Sequence, residues 1–295
     1  RFEWLLRYDG TPYLPGITEQ IHNNVIPVVN IYEQYFYTGD KTILSEMFEL
    51  MQDCVRFVVE FALRKNPETG RTYMREIQGC DEYDTRKIND LLTTAVTRKA
   101  ILIITQCAEI IGRKPESFIF NAATALSGIL TGLKKDGIYM GRDGVALGSW
   151  AHLMTYIHYP EPEVFGRVQK LVLDTCRTEH GVHVGAAGKS MTATCPWMEG
   201  LFAWSSALNK SRDAMKYLKM MTRFTNYYGG LCEVLYVYGE SSRDWFVAAH
   251  GVFIAALADM IVRRDGDKIT IFPCGTEGFP EKISFSNFRL PGEIL

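Results

Sequence analysis

Two acidic segments of this chain could do chemistry. The first is Gly79-Cys80-Asp81-Glu82-Tyr83, with Asn89 six positions beyond Tyr83. It sets two adjacent carboxylates in a turn between long helical patterns, after the short apolar run Tyr73 to Ile77 and a glycine. The second is the loop that opens at Gly229-Gly230 and carries Glu233 and Glu240. An acid in such a place is ordinarily a surface charge or a helix N-cap. A carboxylate held there by a rigid scaffold stands instead at a mouth, where catalytic groups concentrate. The surrounding elements then have one task, to hold the first turn opposite the second.

Those elements read as helices. Arg1 to Gly16 is an extended lead-in broken by Asp9-Gly10, Pro12 and Pro15. Thr18 is a plausible N-cap for a first helix that ends at Gly39-Asp40, with Pro27 kinking it or delaying its start. A second helix is expected over about 42–64, with Phe48, Met51, Val55, Val58 and Ala62 on one face. After a turn at 67–70, residues 71–77 read as a short strand or arm. Further helices are expected near 88–111, 115–135, 146–156, 163–177, 193–208, 212–227 and 244–263, with a loop or small hairpin around Ile138-Tyr139-Met140. Residues 268–272 alternate like a strand, and 283–288 read as another.

A run of about nine helices forms a bundle, a solenoid or a closed double ring. No fixed-period repeat is visible, which argues against the solenoid. The helices near 88–111 and 244–263 are apolar on more than one face, as an inner ring buried on both sides would be. The expected class is therefore all-α, with a closed toroid as the architecture.

Composition narrows the function. The 295 residues carry a net charge of −2, with Lys and Arg scattered, which argues against nucleic acid as the main partner. No apolar run approaches the roughly 18–20 residues of a membrane span. The chain begins at Arg1 rather than Met and reads as a piece of a longer protein, so a missing leader says little. Seven cysteines without a CxxC pair read as buried thiols in a reducing, cytoplasmic setting. The 12% aromatic content suits a core, and also the flat apolar faces that carbohydrate sites need.

At Gly79-Cys80-Asp81-Glu82-Tyr83 the chain resembles glycoside hydrolase family 65, which carries a Gly-Pro-Asp-Glu-Tyr turn followed by an Asn-rich helix start. Cys80 replaces the proline, and Asp90 replaces the second Asn after Asn89. His22, Tyr35, Thr38-Gly39-Asp40 and Arg56-Phe57 also resemble that family. The resemblance implies an (α/α)6 barrel with Glu82 as general acid. The later segments Gly229-Gly230-Leu231-Cys232-Glu233 and Asp244-Trp245-Phe246-Val247-Ala248-Ala249-His250 are similar to the final loop and helix start of the inverting family 15 glucoamylases. That similarity makes Glu233 the general base. It also makes the nine helices numbers four to twelve of twelve. The expected organisation is a partial barrel over 1–266, incomplete at its N-terminus, and the start of a C-terminal β-sandwich over 267–295.

Cleaving a glycosidic bond needs a proton for the leaving oxygen and stabilisation of an oxocarbenium-like centre. Glu82 would give the proton, and Glu233, or its rival Glu240, would activate water on the other face of the sugar. Asp81 is expected to cap the third helix or grip a sugar hydroxyl, beside Tyr83. Arg75 and Lys87 flank the turn and would bind hydroxyls or pair with Asp81. Trp245, at the second loop, is expected to bind substrate. Among Trp150, Trp197 and Trp204, Trp197 is the best candidate to stack on a sugar, although a helical tryptophan is more often core. His22 and His250 sit at helix ends, where sugar contact and capping compete. The alternative enzyme is a phosphorylase that binds phosphate at Ser241-Ser242-Arg243 before a helix N-terminus; Ser241 is more simply an N-cap. The alternative outside catalysis is a carbohydrate-binding toroid. No residues have metal spacing, no nucleotide motif appears, and no cofactor is expected; Gly185 to Lys189 lacks the P-loop order and reads as a loop over the mouth. The expected partner is an α-linked oligosaccharide or glycoconjugate, and a homodimer is the candidate assembly.

Overall fold

The computed structural model describes residues 20–79, 86–139, 162–178, 181–182, 193–236, 240–265, 268–284, 289–290 and 293–294. Among the described residues 59% are helical and 13% are in strands, so the structure is mostly helical, as an all-α class requires. It divides into two compact units, Arg1–Gly144 with Pro291–Ile294, and Val145–Leu290 with Leu295. That division falls earlier in the chain than the expected one at 266/267. The expected elements at 1–16 and 146–156, and the glycine-rich loop 180–189, lie almost wholly outside the described residues, as do Thr18 and Trp150.

In the first unit a 3-10 turn, Ile21–Asn24, leads into α1, Ile26–Thr38. Pro27 falls in the first turn, where no N–H is required, so it sets the start of the helix rather than kinking it. Gly39 ends α1 at φ 71°, its N–H bonded to Tyr35 O at 2.7 Å. Asp40 then caps α2, Lys41–Ala62, by accepting from Thr42 N–H at 2.8 Å. Leu44, Phe48, Met51, Val55 and Val58 of α2 are all buried. The expected helix to residue 64 stops two residues short, because Leu63–Lys65 (β1) pairs antiparallel with Thr72–Met74 (β2). Asp90, not Asp81, caps α3, Leu91–Ile111, by accepting from Thr93 N–H at 2.8 Å. Gly112 closes it at φ 67°.

Helix α4 spans Ser117–Gly132, and the expected small hairpin follows as β3 (Lys134–Lys135) and β4 (Ile138–Tyr139). Helix α3 packs on α1, α2 and α4. This is why it is apolar nearly all round. It is long and apolar enough to cross a membrane, but 72% of that stretch is buried inside the protein. Helix α2 is pinned to the start of α4 twice. Gln52 Oε1 accepts from Glu116 N–H at 2.8 Å, and Arg56 pairs with the Glu116 carboxylate.

In the second unit α5, Pro162–Cys176, precedes a short hairpin of Arg177–Thr178 (β5) and Gly181–Val182 (β6). Helices α6 (Pro196–Leu208), α7 (Ala214–Met221) and α8 (Val247–Ile261) form the core, with α6 against both others. Close approach is possible because Gly200 carries no side chain. A Cβ there would lie 2.8 Å from Val252 Cγ1 and 2.9 Å from Met221 Sδ. Trp204 Nε1 donates to Asp259 at 2.8 Å and ties α6 to α8.

Ala193–Thr194 (β7) was expected to open α6; it instead pairs with Val234–Tyr236 (β8), which pairs in turn with Ser241–Ser242 (β9). The strand expected at 268–272 is Lys268–Ile271 (β11). Its partner is Val262–Asp265 (β10), the direct continuation of α8. Of the further strand expected at 283–288, residues 283 and 284 are not in a strand, and 285–288 lie outside the described residues.

Candidate functional site

Asp81, Glu82 and Tyr83 lie outside the described residues, but both feet of their loop are described. Ile77 and Lys87 form an antiparallel bridge, with Ile77 N–H to Lys87 O at 3.1 Å and Lys87 N–H to Ile77 O at 2.9 Å. Two positions on, Asn89 sits at φ 59°, a left-handed conformation that asparagine tolerates better than most residues. Its Oδ1 accepts from Met74 N–H at 2.7 Å, and its own N–H donates to Met74 O at 3.1 Å. One asparagine therefore satisfies both backbone groups of Met74 on β2. Asn89 is thus a structural clamp that fixes the exit of the acidic loop against the arm before it.

The flanking candidates serve the same scaffold. Arg75 donates its N–H to Ala62 O at 2.8 Å and lays its guanidinium over the Phe61 ring at 4.2 Å. The backbone of Lys87 makes the bridge just described. His22 is buried in the 3-10 turn, and its carbonyl accepts from Val25 N–H at 3.1 Å.

The second acidic loop is an ordered ribbon. Asn226 organises the turn that opens it. Its Oδ1 accepts from Gly230 N–H at 2.7 Å and Tyr228 N–H at 3.0 Å, and its Nδ2 donates to Asp244 O at 3.2 Å. Phe246 N–H donates to Leu231 O at 2.8 Å, and Glu233 N–H to Arg243 O at 3.3 Å. Residues 231–236 therefore run antiparallel to 240–246 up to the start of α8. His250, in the first turn of α8, fixes the ribbon from below. Leu231 N–H can only donate, so His250 Nε2 accepts it at 3.3 Å, and Nδ1 carries the proton given to Phe246 O at 3.0 Å.

The Glu233 carboxylate pairs with the Arg243 guanidinium at 2.8 Å; the glutamate side chain is 25% exposed and the arginine 59%. Arg243 holds this pose at φ 49°. Ser241 Oγ donates to the Asp244 carboxylate, so it does not cap α8, which begins after Phe246. Two of the three residues of the expected phosphate cradle, Ser241 and Arg243, are thus engaged with carboxylates. Glu240 is exposed at the other end of the ribbon, where its carbonyl accepts from Tyr236 N–H at 2.9 Å. Three strand residues, roughly 10 Å, separate that end from Glu233, so the two glutamates serve different places. Burial raises the Cys232 thiol pKa above its ordinary value, and the Asp244 and Glu233 charges add to the effect.

The tryptophans sort clearly. Trp197 packs edge-on against Phe246, ring centroids 6.4 Å apart, in the cluster around Met221, Leu231 and Ala249. It belongs to the core. Trp245 is 60% exposed and lies parallel to the His250 ring, centroids 5.9 Å apart and planes 9° apart.

Sequence reasoning passed over Glu199, which is fully buried in the first turn of α6. The available signal was a lone acid inside the apolar stretch from Cys195 to Phe202, where a charge is costly to bury without partners. Among the described residues no group of three or more His, Cys, Asp or Glu side chains is placed to hold a metal ion. No protein-family model matches the chain, and no curated protein matches it.

Proposed function

We propose that the chain is the catalytic part of an inverting glycoside hydrolase of (α/α)6-barrel type, acting on an α-linked oligosaccharide or glycoconjugate. Glu82 is the general acid, Glu233 the general base, and water the nucleophile. The observation that carries this reading is the placement of Glu233. Its carboxylate is three-quarters shielded, on a ribbon whose backbone is tied at Leu231, Glu233 and Tyr236 and which also carries a solvent-exposed indole, Trp245. A base must be ionised, and a carboxylate paired with arginine is. To take a proton from water it must use its other oxygen, Oε1, since the pair with Arg243 is made through Oε2.

The phosphorylase alternative fares less well. Arg243 is bound to Glu233, and Ser241 is bound to Asp244. A phosphate would have to displace one carboxylate and tolerate the other, at a repulsion of a few kcal/mol in intermediate dielectric. One observation favours a second reading: the Glu233–Arg243 pair is also what a purely structural ribbon would show. A non-catalytic carbohydrate-binding toroid needs no more than that.

The test is turnover of α-linked oligosaccharides with and without inorganic phosphate. Hydrolysis is expected without phosphate, and NMR should show the first product with inverted anomeric configuration. Glu82→Gln and Glu233→Gln are each expected to lower the rate by about 10²–10⁴-fold, with circular dichroism showing that each variant keeps its fold. A rate that ignores both substitutions, or that needs phosphate, removes the proposal. Retained sugar binding with no turnover in the unaltered protein supports the second reading.

A further inference from the structure

The ribbon carries a group of aromatic rings that no core uses. Tyr227 is 95% exposed, Tyr228 78% and Trp245 60%. The Asn226 side chain holds the tyrosine turn through Tyr228 and Gly230 and ties it to Asp244, the neighbour of Trp245. Gly230 abuts the indole itself, so that a Cβ there would lie 2.9 Å from Trp245 Cδ2 and 2.7 Å from Asp244 O. The indole is also supported by the parallel His250 ring, which two backbone hydrogen bonds hold in place. Trp245 is thus fixed along one edge and by a stacked neighbour while most of its surface faces water. Tyr227 and Tyr228 stand edge to face, 5.3 Å apart and at 88°.

Exposed rings are costly to leave in water, and fixing them before a ligand arrives lowers the entropic cost of binding. The groups beside them select the ligand. Glu233, Arg243, Ser241 and Asp244 lie on the same ribbon and offer hydrogen-bond acceptors and donors of both charges. A flat ring with apolar C–H faces and a rim of hydroxyls matches that mixture. A purely apolar partner would leave the rim unsatisfied, and a strongly charged one would meet the opposite member of the Glu233–Arg243 pair as well as its own complement.

We propose that Trp245, together with Tyr227 and Tyr228, forms a stacking platform for a pyranose ring, an oligosaccharide subsite adjoining the Glu233–Arg243 pair. The platform rests on the carbohydrate reading given above and is independent of which glutamate is catalytic. His250 and Asn226 are positioning residues for it.

The experiment measures binding by tryptophan fluorescence and calorimetry, using maltose, maltohexaose and the isomalto- and nigero-series, on the full chain. Affinity is expected to rise with oligosaccharide length. Trp245→Ala and the double variant Tyr227→Ala/Tyr228→Ala should each weaken binding of the longer sugars roughly tenfold, and the disaccharide less. Trp245→Phe, which keeps a ring on His250, should recover most of the loss. Because the tyrosines are almost wholly in solvent, their removal leaves the fold intact. Unchanged sugar affinity in the alanine variants, while Glu233→Gln still abolishes turnover, overturns the platform and leaves the hydrolase standing. Concentration-dependent self-association that the alanine variants abolish assigns the rings to a contact between copies and likewise overturns it. Absence of both binding and turnover with every sugar in the unaltered protein removes the carbohydrate reading and the platform with it.

Discussion

The two acidic loops are held in place by different means. Around 77–89 the work is done by backbone. A bridge closes the loop, β1 and β2 form its arm, and a single side chain, Asn89, adds to the ladder. Around 226–250 a backbone ladder is present as well, and more side chains complete it: Asn226, His250 and the Glu233–Arg243 pair. The cores differ in the same sense. The first unit packs large branched residues such as Leu44, Ile101, Ile103 and Ile104, whereas the second brings α6, α7 and α8 close through Gly200, Ala203, Ala249 and Ala256. A backbone-held loop tolerates changes in its side chains. A side-chain-held loop is specified residue by residue, so the local order of the second region should respond more sharply to point substitution than its global stability does.

Three pairs of measurements break or sharpen that contrast. The largest effects belong to the cores and should be equal. Phe48 and Phe202 are both fully buried, and Phe48→Ala and Phe202→Ala should each cost about 3–5 kcal/mol in urea unfolding. A much smaller loss at Phe202 would mean that the small-residue core collapses into the gap and is not jigsaw-packed. The loop clamps come next. Asn89→Ala removes a buried-side hydrogen bond and leaves alanine in a left-handed conformation, for roughly 1–3 kcal/mol. Asn89→Gly should recover part of that. Asn226→Ala removes three bonds from an exposed turn, and hydrogen exchange should quicken at Tyr228, Gly230 and Leu231 with a smaller change in global stability. If exchange at Tyr228, Gly230 and Leu231 is unchanged in Asn226→Ala, the contrast is wrong.

The smallest effect at neutral pH concerns one thiol in each unit. Burial pushes Cys107 and Cys274 up to about 11, well above the ordinary 9.0. Iodoacetamide at mildly alkaline pH should therefore spare both until the chain unfolds, as peptide mass mapping would show. The unfolded chain sheds these protons first, so stability should be intact below pH 9 and fall as pH rises toward 11. Labelling of Cys274 alone under native conditions would mark the second unit as the looser one.

The sequence made the helices of the first unit legible because their limits are local. Gly39 and Gly112 stop α1 and α3, and the apolar stripe of α2 repeats at helical spacing. The errors occur where a remote partner decides. Leu63 and Arg64 continue a helical pattern but pair with Met74 and Tyr73. Thr194 pairs with Leu235, forty-one positions away, so nothing near it could announce a strand, and Pro196 marks the true start of α6. Asp90 rather than Asp81 caps α3 because the loop closes at Lys87 and the helix starts only afterwards.

At the candidate site, the types and spacing of Glu233, Arg243 and Trp245 were visible, but their pairing was not. Alternation along a strand says which residues share a face, and the Glu233–Arg243 contact needed the register of β8 against β9. Trp197 and Trp245 looked alike in sequence, each at the head of a helix. Burial separated them, since one ring joins the Met221 cluster and the other remains in solvent.

The Ile77–Lys87 bridge bears on how such a chain acquires new specificities. With both feet fastened, the cost of closing the span between them depends mainly on its length. Doubling its length would add only about 0.6 kcal/mol of closure entropy, too little to unseat a neighbouring helix. Libraries that vary the composition or length of this span around an unchanged Glu82 should therefore keep expressing as folded protein, and selection could retune recognition there without renegotiating the scaffold.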